Sequence, residues 1–380
     1  MGAWTWSAEI GILFGLGAFA LIFFPVIAVQ YRKYGRFTGL RLLGAGAVSV
    51  YVTTLIAYTL LPLPESREAV CRPQLQPVPF HFFADIAAEN PGLGLLALLT
   101  SRATLQVVFN VVLFVPFGII VRGFFSRSLP ATVALGVGTS VLIEATQYTG
   151  IWGIYSGAYR LADVDDLITN TLGALIGALV APTVLAWMPR ERALRALRGV
   201  ARPVTVWRRW LGMAIDFALF SVLGSVLVVC YRVALLAING VVPAERGVVE
   251  AALGSLVPAI LVFVAPAARR TGASLGQTAV WLVPYWGRPV PAWRRLLRAA
   301  SVGGLYGVLV FASQLPDPID TAAAASTVLL IVAFFAVPLT RQAAGLSGLI
   351  AHATMRDERE PRSPSAETEA KPKPTPPVQN

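Results

Sequence analysis

The chain has 380 residues, 56% hydrophobic and only 13% charged, with a mean hydropathy of +0.67. That profile excludes an ordinary soluble globular domain and points to a polytopic membrane protein. The formal charge of +11 would by itself suit a nucleic-acid binder, but the cations punctuate apolar runs and form no separate soluble face, which argues against that reading.

The spacing of apolar runs predicts an all-α transmembrane bundle of about nine spans. They fall near 10–30, 40–61, 104–121, 129–148, 167–188, 210–238, 248–267, 300–315 and 322–340, the eighth being short. No Lys or Arg occurs before position 32, so the basic start of a cleavable signal is missing. Trp4 and Trp6 read as interfacial anchors. With the N-terminus outside, twenty cations fall in cytoplasmic loops or at span ends and six fall outside. The opposite orientation would reverse this bias, so nine spans then leave the C-terminus inside. The chain is thus expected in a bacterial cytoplasmic membrane, among anionic lipids that attract each near-surface cation by about 1 kcal/mol. Its 28 Arg against 3 Lys suit a GC-rich genome.

Four segments are expected. Residues 1–188 form a first bundle and 189–208 a basic interfacial helix, with Ala193, Leu194, Leu197 and Val200 at helical spacing. Residues 209–350 form a second bundle, and 351–380 a disordered cytoplasmic tail rich in Pro and charge. The outside loop between Leu61 and Arg102 contains Pro62, Pro64, Pro73, Pro77 and Pro79, which forbid one continuous helix. It reads as a surface loop or as a lid, with Phe80, Phe82 and Phe83 able to enter the headgroup layer. The cysteines, Cys71 and Cys230, are placed for neither a disulfide nor a metal site.

The densest polar stretch lies between positions 144 and 170. Glu144 and Gln147 sit near the outer end of the fourth span. Arg160 and Asp163 lie in the following loop, and Asp166 and Asn170 open the fifth. Asn110, about two turns into the third span, reaches the same depth. Asp163, Asp166 and Asn170 step by three and four, the spacing of one helical stripe. Polar groups at a membrane edge are costly, which makes the cluster a candidate functional site. Three chemistries fit. Arg160 could bind a phosphate or carboxylate headgroup, the Glu144 and Asp166 carboxylates could serve as acid and base or hold a divalent metal, or the whole set could join helices. No histidine, cysteine or serine nucleophile constellation accompanies the acids, and no cofactor is implied.

These residues, in the order Asn110-Val-Val-Leu-Phe-Val-Pro116-Phe-Gly118, Glu144-Ala-Thr-Gln147 and Arg160-x-x-Asp163-x-x-Asp166-x-x-x-Asn170-x-x-Gly173, resemble the VanZ-like family over roughly 40–185. The resemblance implies a small bacterial multi-span domain, of a family named for a protein that raises teicoplanin tolerance. It maps the family's polar motif onto Asn110, Glu144, Gln147, Arg160, Asp163, Asp166 and Asn170, with Asp165 as an extra acid. In the second bundle, Arg209-Trp-Leu-Gly212-Met-Ala-Ile-Asp216 resembles the opening of an RDD domain. Gly272-Ala-Ser-Leu-Gly276-Gln and Arg294-Arg-Leu-Leu-Arg298 resemble its later elements. The aspartate that such a domain carries near Arg341–Gly348 is missing here. Arg209 and Asp216, seven apart, share one face of the sixth span, with Arg209 at its cytoplasmic mouth.

The sequence therefore implies a cell-envelope membrane protein that binds or shields an outer-leaflet ligand, such as a lipid-linked cell-wall precursor or a lipophilic glycopeptide. Two alternatives stand beside it: a permease for an ion or small solute, and a metal-dependent lipid-phosphate enzyme.

Overall fold

The computed structural model describes residues 3–63, 75–89, 94–158, 160–189, 191–241, 244–245, 247–315 and 319–361, with backbone alone at 3–7 and 95. The Trp4 and Trp6 side chains, Pro64, Arg67, Cys71, Arg72, Pro73, Arg190, Arg246 and the tail from 362 lie outside the described residues. The architecture is all-helical. Among the described residues, nine helices are long and apolar enough to cross a membrane. They are Ala8–Tyr34, Gly39–Leu60, Arg102–Phe124, Leu129–Tyr148, Val164–Val184, Val206–Asn239, Val248–Ala267, Ala292–Ser313 and Asp320–Leu339, called here the first to ninth spans. A lipid-immersed backbone must satisfy its own polar groups, and the helix does this within one segment. Large apolar side chains such as Leu21, Leu179 and Leu339 accordingly point outward.

The eighth span is longer than expected. Ala292–Ala299, with its arginines, is helical and continues through a π-helical turn at Ala300–Gly304. The basic stretch 189–208, by contrast, is not one amphipathic helix. It holds the six-residue helix Glu191–Ala196, a turn and an extended approach to Thr205. Pro203 explains the break, since it lacks an N–H and disfavours helix in the residue before it.

Two compact units divide the chain: Met1–Val26 with Thr38–Glu191, and Ile27–Phe37 with Arg192–Asn380. In the first, the third and fifth spans pack backbone to backbone. A methyl placed on Gly173 or Gly177 would collide with the carbonyl oxygen of Val111 or Val115. Such close approach is how helices associate where no hydrophobic effect drives them together. Fully buried Phe114 fills the seam beside Ala174, and Leu55 of the second span completes this core. Side-chain caps fix the span starts: Ser101 Oγ accepts from Thr104 N, and Ser128 Oγ from Ala131 N. Two short strands, β1 (Leu75–Gln76) and β2 (Ala162–Asp163), pair in parallel beside the start of the fifth span.

The second unit is built on the sixth span. At about 1.5 Å per residue, its 34 residues run about 51 Å, beyond the ~30 Å of a hydrocarbon core. Its first turns are covered by protein. A capped helix, Leu275–Ala279, leads into β3 (Leu282–Tyr285), which pairs antiparallel with β4 (Thr354–Asp357). The expected tail is thus ordered as far as residue 361, because Asp357 is tied into this layer. Residues 27–37 join the same unit. Arg32 donates to Thr278 O at 3.1 Å and stacks 3.9 Å from the Trp281 ring centroid, and Trp281 Nε1 donates to Tyr31 O at 2.8 Å. On the sixth and seventh spans, Arg232 and buried Glu250 form an ion pair at 3.0 Å.

Candidate functional site

The close seam between the third and fifth spans brings Asn110 to Asp166. Asn110 Nδ2 donates to Asp166 Oδ1 at 2.6 Å. Asp163 is not part of the helical stripe. It precedes the fifth span as its N-cap, accepting from Asp165 N at 2.8 Å, and its own N–H donates to Glu144 Oε2 at 3.1 Å. Glu144 on the fourth span is thereby linked to the start of the fifth. Four residues into the fifth span from Asp166, Asn170 Nδ2 donates to Ser140 Oγ at 3.0 Å, and Asn170 Oδ1 is buried without a partner among the described residues.

Gln147 and Arg160 converge elsewhere, on the C-terminal carbonyls of the second span. Gln147 Nε2 donates to Thr59 O at 2.6 Å, Arg160 Nη1 to the same oxygen at 3.2 Å, and Arg160 Nη2 to Leu61 O at 2.8 Å. The last carbonyls of a helix have no partner of their own, so the two side chains close that end. Arg160 therefore has both terminal nitrogens engaged by backbone. Asp165, an extra acid beside the motif, is the residue sequence reasoning undervalued. It is buried, and its oxygens accept from Phe80 N at 2.5 Å and Phe82 N at 2.8 Å, which holds the long loop against the span ends. Its one signal in the sequence was an acid in the first turn of a helix, a common and uninformative placement.

The seven residues thus form separate contacts between neighbouring elements: Asn110 with Asp166, Glu144 with Asp163, Asn170 with Ser140, and Gln147 and Arg160 on the carbonyls of Thr59 and Leu61. The second oxygen of Glu144 and that of Asp166 accept no hydrogen bond among the described residues. Burial pushes the Asp163 carboxyl above its ordinary range, and the charges of Asp165 and Asp85 add to this, against the opposing bond from Asp165 N. The site is acidic overall and offers acceptors. Among the described residues no group of three His, Cys, Asp or Glu could hold a metal ion.

The second unit places its own predicted pair differently. Asp216 is buried, with Oδ2 accepting from Ser274 Oγ at 2.5 Å and Oδ1 from Gly276 N at 2.6 Å. Arg209 makes no ion pair or hydrogen bond with it among the described residues. The neighbouring Arg208 carries the ion pair instead, at 2.8 Å to Asp357.

Fold and site together define a multi-pass helical membrane protein with a polar cluster at one end of a small bundle. Residues 48–186 match the family model described as VanZ/LLP1, a segment that contains all seven clustered residues. No curated protein and no solved structure matches the chain.

Proposed function

We propose that this is a bacterial cell-envelope protein of VanZ type whose first unit binds or shields an outer-leaflet ligand rich in hydrogen-bond donors. The amino and hydroxyl groups of a lipid-linked wall precursor or of a lipophilic glycopeptide meet that description. The observation that carries the reading is the pair of open carboxylate oxygens on Glu144 and Asp166, held in place by Asp163 N and Asn110. The distribution of Lys and Arg supports an outside N-terminus, which puts this cluster on the outer face. For the second unit we infer an RDD-like domain. In support, its three resembling segments meet: Asp216 bonds Ser274 and Gly276, and Arg298 bonds Gln277.

The test is teicoplanin beside vancomycin susceptibility in a deletion strain carrying wild type, Glu144→Gln or Arg160→Ala, at membrane levels matched by immunoblot. Glu144→Gln keeps size but loses charge. It should weaken ligand affinity by about 1.5–3 kcal/mol, roughly tenfold or more, and lower teicoplanin tolerance with it. Tolerance equal to wild type at equal protein level would remove the cluster from the function.

A further inference from the structure

A cavity of about 120 Å³ lies inside the second unit, between the sixth, eighth and ninth spans. Its polar wall consists of Arg209, Asp216, Ser274, Gln277, Arg298 and Ser347, and Phe263 and Tyr306 contribute to an apolar wall. Arg209 is 95% buried, being 5% exposed, yet its Nε and Nη1 have no hydrogen-bond partner among the described residues. Arg298 is 2% exposed. It donates to Gly272 O at 2.8 Å and Gln277 Oε1 at 3.1 Å, and its Nε also has no partner among the described residues. The single acid on the wall, Asp216, already has both oxygens bonded. Two guanidinium groups thus face one occupied carboxylate. A buried cation without a counter-charge costs several kcal/mol, and its open donors are fixed in space.

We propose that this cavity is a binding site for a singly charged oxyanion, the carboxylate or phosphate group of a small acid or of a lipid headgroup, with Arg209 as its principal donor. The charge balance sets the valence, since one added negative charge neutralises the pair of arginines against Asp216. The donor type sets the chemistry, because guanidinium pairs with oxyanions through charge-assisted hydrogen bonds. The volume suits an acetate- or phosphate-sized group, since a water takes about 30 Å³ in the liquid. The apolar side can accept a short hydrocarbon portion.

The test uses the full chain purified in neutral detergent, in HEPES at constant ionic strength, with melting followed by tryptophan fluorescence. Sodium acetate and sodium phosphate are titrated against wild type, Arg209→Lys and Arg209→Gln. Wild type is expected to show a saturable rise in melting temperature. Arg209→Lys should retain the rise at lower affinity, and Arg209→Gln should lose at least about tenfold in affinity. Without added anion, Arg209→Gln should melt no lower than wild type, because it removes an uncompensated charge. A helix-packing role for Arg209 would lower it. A second arm reconstitutes the protein in phosphatidylglycerol or phosphatidylcholine nanodiscs and counts retained lipid by native mass spectrometry. Response to the soluble anions identifies a free acid as the source, and Arg209-dependent retention of phosphatidylglycerol alone identifies the headgroup. No response in either arm, or a response unchanged in Arg209→Gln, overturns the site. The readouts are independent of glycopeptide tolerance, so this result stands or falls apart from the first unit's function.

Discussion

Asp357 shows how one carboxylate can close a structure. Its oxygens accept from Arg359 N, Nε and Nη2, from Arg202 N and from Arg208 Nη2, at 2.7–3.1 Å. Burial alone would push its pKa up. The hydrogen bonds from Arg359 and the charge of Arg208 overrule it and hold the carboxyl at about 2, below its ordinary 3.8. A depressed acid adds stability that is complete above the ordinary value and lost as pH falls through the folded one. The melting temperature of wild type in detergent should therefore fall between pH 4 and pH 2 more steeply than that of Asp357→Asn. At neutral pH, Asp357→Asn strands Arg208 and should cost about 3–5 kcal/mol, whereas Glu360→Gln, in a half-exposed pair with Arg356, should cost about 1 kcal/mol or less. Nothing in the sequence marked this residue. Arg356–Arg362 reads as a solvated charge run, and a four-residue strand is too short to show alternation. The adjacent Arg208 and Arg209 are alike as letters. Neighbours on a helix point about 100° apart, so only the fold decides which one meets an acid.

For the helices, the spans themselves were legible, because apolar runs of bilayer length have few alternative uses. The structure pairs Asn110 with Asp166 and Glu144 with the Asp163 N–H, on residues that the sequence already singled out. The partners of Gln147 and Arg160 were not legible, since backbone carbonyls such as Thr59 O and Leu61 O leave no letter in the chain. The close approach at Gly173 and Gly177 has no mark in the sequence beyond two small residues four apart. This contact with the third span makes a sharp demand. Gly177→Leu should break the seam, separating Asn110 from Asp166 and destabilising the first unit by at least about 1–3 kcal/mol, the usual cost of overpacking. Gly138→Leu on the fourth span, where an added Cβ meets nothing within 4 Å, is the control and should be near neutral. Thermal aggregation in detergent, followed by size-exclusion chromatography, reads both.

Over the whole chain, the expected break near 188 lies close to the boundary between Glu191 and Arg192. The membership of Ile27–Phe37 in the second unit was hidden. It rests on contacts such as Arg32 to Thr278 and Trp281 to Tyr31, pairs separated by 246 and 250 positions. Hydropathy is local and carries no record of such pairs. A fragment of residues 192–361 expressed alone should consequently elute as aggregate, and co-expression with residues 1–38 should restore a monodisperse peak. An equally monodisperse peak without 1–38 would show those contacts to be dispensable.

The pairing of β3 with β4 also bears on the order of synthesis. A ribosome makes the Arg208 end of the sixth span long before Asp357, and all nine spans have been synthesised by then. Throughout that interval the second unit holds an arginine without its acid. Its polar end can close only after translation has passed the last span, so a truncation between Leu339 and Asp357 leaves every span in place and the unit still open.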